Sequence, residues 1–292
     1  MVPTVAAHCQ NGWVDLILGT AQLTRPYGIV QASASASDSP EKVLFAARDC
    51  GFVGLDTAPI YGEAEKVIGD AQTGLEIHTK IDPAADGVTS LVQSRERLRV
   101  ERLKVVYQHE VFDGSRDQLE TLERIRDESS GFVENIGVSI YTLRELEMAV
   151  DAEVVTAIQL PVNVATSDFT ESDFREAQSA GKRIYARSIF LQGVLTALHH
   201  DLPSAVVGLQ GFVREFQLLA EKWHMSPAQA AVAFAKSQEG LSGIVVGANS
   251  ATNVLEISEA FSSHVEPAFI DECRNLPRPD PSITDPRNWL NR

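Results

Sequence analysis

Cysteine is scarce in this 292-residue chain, and its three copies, Cys9, Cys50 and Cys273, stand far apart. No CxxC pair or zinc-type spacing exists, so neither a disulfide framework nor a structural metal is implied, and free thiols in a reducing cytoplasm are expected. Positive charge is also in deficit: 25 lysines and arginines face 40 aspartates and glutamates, for a net charge of −15. A nucleic-acid surface needs a basic stripe, and no Lys/Arg cluster escapes the acidic average, so no such partner is expected. An anionic cofactor would need local donors against a repulsive background. No apolar run approaches eighteen residues, which argues against a membrane span. The opening MVPTVAAHCQNGW lacks a basic region followed by an apolar stretch, so no signal peptide is read and the cytoplasm is the expected compartment.

What the chain does have is repetition of a simple kind. Eight short apolar runs recur: LILGTA (16–21), FVGLDTA (52–58), EIHTKI (76–81), VVYQHE (105–110), NIGVSI (135–140), AIQLPVN (157–163), RIYARSI (183–189) and GIVVGA (243–248). Most are continuous in apolar character rather than alternating, as strands covered on both faces should be. Between them lie amphipathic patterns with start and stop signals, such as SPEKVLFAARDCG (39–51), with its Ser-Pro start and Gly stop, and SRDQLETLERIRDE (115–128), with Leu119, Leu122 and Ile125 on one face. The stretches 142–152, 170–181 and 226–240 follow the same grammar.

Strand–helix alternation eight times over predicts an α/β fold, a (β/α)8 TIM barrel, with a doubly wound open sheet as the alternative. The interval from Arg183 to Gly243 is about twice the usual one and holds two helical segments, 204–222 and 226–236, so an extra helix is expected before the last barrel helix. No composition break divides residues 1–292, which reads as one domain. The Ala/Ser-rich loop 24–38 is expected to be mobile, and the Pro-rich tail 275–292 irregular, docking through Trp289.

In a parallel barrel, chemistry gathers where strands end. Asp56 ends the second run, Tyr61 follows in its loop, Lys80 ends the third and His109 the fourth. Singly, each has a plain structural role: a salt bridge, a loop anchor, a half-buried histidine. Together they form a proton relay. An ammonium stabilises a neighbouring phenolate, a carboxylate holds the ammonium, and an imidazole can orient a carbonyl. Such a set suits protonation of an oxyanion as hydride arrives at carbon. His78 lies lower on the same strand face as Lys80 and is read as packing. The His199-His200-Asp201 triplet lacks a third spaced ligand and is read as solvated loop, so no metal site is expected.

DTAPIYG, HTKI, YQH and GVS, with matching stretches from LGTAQL (18–23) to VVGANS (245–250), resemble the aldo-keto reductase superfamily. GTAQL, GVSIY and RSIFLQG are similar to a bacterial branch of sugar and pyridoxal dehydrogenases and polysaccharide-pathway reductases. The resemblance implies a metal-free, nicotinamide-dependent oxidoreductase acting on a small carbonyl or sugar. Tyr61 would be the general acid–base, tuned by Lys80 and Asp56, with His109 orienting the carbonyl. It further implies that Gly19 and Thr20 line the nicotinamide end, and that Ser139 and Gln159 hold the carboxamide. Ser188, Phe190 and Gln192 would follow the pyrophosphate, and Gly247, Asn249, Ser250, Asn253 and Glu256 the adenosine end.

Three departures stand out. Ile140 replaces a usual Asn, Arg187 stands where many members stack an aromatic on the nicotinamide, and Asn249 replaces a frequent basic residue. A planar guanidinium can stack as well. The 2′-phosphate of NADP(H) would lose a cation at Asn249, although Asn249, Ser250 and the helix N-terminus at 251 could still bind it. NADP(H) is placed ahead on family habit, with NAD(H) close behind. The same fold also supports two other readings: a nicotinamide-nucleotide-sensing regulatory subunit and, more weakly, a non-redox lyase or epimerase. Substrate identity and oligomeric state are not readable from this sequence.

Overall fold

Every one of the eight apolar runs becomes a strand with two buried faces. The strands are β3 (Asp15–Gly19), β4 (Gly54–Asp56), β5 (Glu76–Lys80), β6 (Leu103–Gln108), β7 (Val133–Ser139), β8 (Ala157–Pro161), β9 (Arg183–Arg187) and β10 (Gly243–Gly247). A short antiparallel pair, β1 (His8–Cys9) and β2 (Gly12–Trp13), precedes them. The eight pair in parallel, each with its sequence neighbour, and β10 closes on β3 through the register Gly243↔Asp15 to Gly247↔Gly19. The result is a closed (β/α)8 barrel, not an open sheet. The computed structural model describes residues 8–9, 12–30, 37–82, 85–166 and 168–291. Residues 31–36, the middle of the Ala/Ser-rich loop, and most of the N-terminal segment lie outside them.

The continuous apolar runs follow from this geometry. Successive side chains point to opposite faces. Ile17, Val105 and Val245 turn into the barrel, while Leu16, Leu18, Val106, Ile244 and Val246 turn out beneath the helices. Both directions are dry, so neither position tolerates a polar residue without a partner.

The helices are α1 (Pro40–Asp49), α2 (Ala64–Ala71), α3 (Gly87–Leu98), α4 (Arg116–Ser129), α5 (Leu143–Asp151), α6 (Glu171–Ser179), α7 (Gln210–Lys222), α8 (Pro227–Lys236), α9 (Ala251–Ser262), α10 (Pro267–Arg274) and α11 (Pro281–Thr284). Side-chain caps start several of them. Ser39 caps α1, and capping boxes pair Thr142 with Glu145, Thr170 with Asp173 and Ser226 with Gln229. Between β9 and β10, α8 packs on β10 and α9, whereas α7 packs on α8 and α10 and is the additional helix. The segment 204–209, expected as the start of that helix, is a 3-10 turn, and α7 begins at Gln210. The tail is more regular than its prolines suggest. Pro281 sits in the first turn of α11, where its missing N–H costs nothing. Trp289 docks as expected, buried with its indole Nε1 donating to Ile283 O at 2.7 Å.

An imidazole is sealed inside the barrel. His78 is 1 % exposed, edge-on to Tyr185 at 5.0 Å between ring centroids, with Tyr107 Oη 3.4 Å from its Nδ1. Burial pushes its pKa down to about 4, so the ring is neutral in the folded chain at neutral pH. The unfolded chain takes up this proton near pH 6.5, and stability therefore falls as pH drops from about 6.5 toward 4, by an amount on the order of 3 kcal/mol. Denaturant unfolding at pH 7, 6 and 5 should show His78→Asn losing less stability with acid than the wild type; parallel curves would contradict this.

Candidate active site

Register brings the strand-end residues to one rim. Gly19 pairs with both Asp56 and Gly247, Asp56 with His78, and Ser139 with Gln159. Lys80 lies two residues beyond His78, on the same face. His109 is the first residue past β6.

At the centre, Lys80 Nζ lies 2.7 Å from Asp56 Oδ1 and donates to Thr57 O at 3.2 Å. Both ionic side chains are nearly dry, at 6 % and 7 % exposure. Burial works to lower the lysine pKa, but attraction to Asp56 and Tyr61, with hydrogen bonds to both, raises it above its ordinary value. The ammonium also stands 5.2 Å from the centroid of the half-buried Tyr61 ring. His109 is half-buried, and desolvation first, then the Lys80 charge, lower its pKa, which favours the neutral imidazole.

Asp56 has a second partner that the sequence did not pair with it. Gln159 Nε2 donates to Asp56 Oδ2 at 2.8 Å, so the amide expected at a carboxamide braces the carboxylate here. The Asp56 carbonyl in turn accepts from both the N–H and the hydroxyl of Thr20, each at 2.9 Å.

Tyr61 is held by contacts that local pattern does not reveal. Thr24 Oγ1 donates to Tyr61 O at 2.8 Å, Arg25 Nη1 donates to Ile60 O at 2.7 Å, and the Arg25 guanidinium lies 5.4 Å from the phenol ring centroid. Arg25 thus clamps the turn that carries Tyr61. Beyond that turn, Glu65 on α2 is 2 % exposed and accepts from Thr79 Oγ1 at 2.8 Å and Arg97 Nε at 2.7 Å. This carboxylate ties the helix following Tyr61 to the strand carrying Lys80. Gly69 permits the close approach of α2 to α3, since a Cβ there would fall 2.0 Å from Arg97 O.

A cleft of about 720 Å³ opens from this centre. All the anticipated site residues line it except Ser250, whose hydroxyl instead caps α9 by accepting from Asn253 N at 3.2 Å. Arg187 lines the cleft with its guanidinium carbon 4.2 Å from the Tyr141 ring centroid, and the Arg287 guanidinium from the tail lies 4.0 Å from the same centroid. Arg187 also donates to Ser139 Oγ, Ser188 Oγ and Ile140 O at 3.2–3.3 Å. These contacts pin the cation in the cleft wall.

The next segment is backbone under tension. Ser188, Leu191 and Gln192 adopt left-handed φ of 58°, 48° and 53°, and Gly193 has φ of 89°. Non-glycine residues reach this region rarely and at a cost, and such segments gather at ligand clamps. At the far end, Asn249, Asn253 and Glu256 line the cleft, and Glu256 accepts from Ser226 Oγ.

These features fit a nicotinamide dinucleotide. The volume is in the range of cofactor clefts, and curved backbone of this kind can approach phosphates. Ser139, Gln159 and the 188–193 segment are the residues that would hold it.

The aldo/keto reductase family profile matches residues 15–277. A glycerol dehydrogenase from Gluconobacter oxydans has a similar structure, with a TM-score of 0.70 at 20 % identity over 98 % of this chain and 97 % of that one. An aldo-keto reductase from a Medee basin deep-sea metagenome library superposes with a TM-score of 0.63 at 14 % identity, covering 81 % and 86 % of the two chains. At these identities the likeness is one of fold. No curated protein matches the chain.

The Glu65 brace gives a direct expectation for stability. Glu65→Ala strands Thr79 and Arg97 and should lower the unfolding free energy by about 2 kcal/mol in urea titration. A loss within error of zero would show that the brace holds nothing.

Proposed function

Because the chain belongs to the aldo/keto reductase family, we propose that it is a nicotinamide-dependent oxidoreductase interconverting a small carbonyl compound, aldehyde, ketone or sugar, and its alcohol. The observation that carries this reading is the buried Lys80–Asp56 pair at 2.7 Å beside the Tyr61 phenol, at the floor of a cleft of dinucleotide size.

A bound nicotinamide supplies or accepts the hydride. The chain's own residues manage the proton. As negative charge grows on the substrate oxygen, Tyr61 Oη gives up its proton to it, and Lys80 stabilises the phenolate left behind. Asp56, braced by Gln159, keeps that ammonium charged and aimed. Neutral His109 offers one ring N–H to the same oxygen and fixes the carbonyl's orientation. In the oxidative direction Tyr61 accepts the alcohol proton by the reverse path.

Nucleotide oxidation with a panel of aldehydes and aldoses tests the proposal. Tyr61→Phe should lower kcat by roughly 10²–10⁴-fold with nucleotide affinity unchanged. Turnover retained in that variant would refute the assignment of the acid. Nucleotide binding by the wild type without turnover of any carbonyl would favour a sensing module instead.

A further inference from the structure

The end of the cleft farthest from Tyr61 carries a feature that bears on which dinucleotide it accepts. In the reading above, hydride transfer requires the nicotinamide beside Tyr61. The rest of an extended dinucleotide must then follow the cleft past 188–193, which puts its adenosine ribose among Asn249, Asn253 and Glu256. No lysine or arginine lines that end: among the described lining residues the only such cations are Lys80 and Arg187, both at the other end.

The first turn of α9 attracts anions at this end. It already holds an anion from the chain itself. Ala251 N donates to Asp38 Oδ2 at 2.8 Å. The segment is stitched in place by Asp38 N donating to Asn249 O at 2.9 Å and by Asn249 Nδ2 donating to Ser37 Oγ at 3.4 Å. The other carboxylate oxygen, Oδ1, takes Lys42 Nζ at 2.6 Å. The hydrogen bond from Lys42 and that from the Ala251 N–H hold the Asp38 carboxyl below the usual carboxylate range, so it is ionised wherever the enzyme would work.

We propose that Asp38 is a specificity-determining residue that makes the cleft select a dinucleotide with a free ribose 2′-hydroxyl, NAD(H), over its 2′-phosphorylated counterpart, NADP(H). This rests on the reading of the cleft as a nicotinamide-dinucleotide site. A 2′-phosphate dianion entering here meets the Glu256 carboxylate on the cleft wall and, behind Asn249, the Asp38 carboxylate, which it must displace from the helix N-terminus it would itself need. Lys42 is already paired with Asp38. A ribose diol carries no such conflict. Its hydroxyls are donors, and carboxylates and asparagine amides are suitable acceptors for them. The family habit that places NADP(H) first thus meets, in this chain, an acid in the position where a cation would serve it.

The test is direct binding, read by isothermal titration of NADH and NADPH into the full chain without substrate. The wild type should bind NADH at least about 10-fold more tightly than NADPH, the discrimination expected when a charge-assisted contact is replaced by repulsion. Asp38→Asn should narrow that ratio by about 5-fold or more through tighter NADPH binding, with NADH affinity changed less than about 3-fold. Because Asp38→Asn removes only a charge, and the wild-type ratio is itself diagnostic, misfolding of the variant does not shelter the idea. Equal or tighter NADPH binding by the wild type overturns it, and so does a ratio untouched by Asp38→Asn. Failure of both nucleotides to bind the wild type overturns the dinucleotide reading as well, which separates the two claims.

Discussion

A charged lysine and a charged aspartate share a nearly water-free barrel rim, and the candidate site is arranged around keeping them that way. Burying two ions is expensive, and pairs of this kind stabilise a fold poorly even at good geometry. The Lys80–Asp56 pair therefore makes little sense as a stabilising device, but it fits a fixed positive charge held beside a phenol. Each atom of the pair that could be left unsatisfied has a partner: Thr57 O shares the ammonium, and Gln159 takes the second carboxylate oxygen. The coupling has a consequence. The residue the family resemblance assigns to the cofactor's carboxamide braces the acid that holds the lysine, so in the proposed function binding and proton chemistry would meet at one amide.

Around this pair the barrel acts as a jig. Tyr61 does not sit on a strand, and a loop tyrosine is only as well placed as its supports. Thr24 and Arg25 grip the turn from the β3 side, while Glu65 ties the following helix to Thr79, the neighbour of Lys80. Arg187, pinned on Tyr141 with Arg287 from the tail over the same ring, links the C-terminal segment to the cleft wall. The segment 188–193, with its left-handed residues, is strained backbone held by a rigid frame, as ligand clamps commonly are.

Much of this was legible in the chain before folding. Eight apolar runs with both faces dry could hardly be anything but covered parallel strands, and the order Asp56, Tyr61, Lys80, His109 at successive strand ends marked the rim. What could not be read were contacts whose partners lie far apart in sequence. Gln159 reaches Asp56 across 103 positions, and Asp38 reaches Ala251 across 213. Periodicity carries no information about such pairs, because a polar residue at a strand end or in a loop looks the same whether it faces solvent or a partner. The tail shows the opposite error. Its prolines read as breakers, yet Pro281 begins a helical turn, because the first turn of a helix does not use the N–H that proline lacks.

The account turns on Lys80 serving the proton rather than the nucleotide. The most direct measurement is single-turnover hydride transfer in Lys80→Met, followed by nucleotide absorbance at saturating carbonyl substrate, alongside the variant's nucleotide dissociation constant. The account predicts transfer slowed by about 10²-fold or more with the dissociation constant unchanged. Transfer at close to the wild-type rate with the ammonium gone would contradict it.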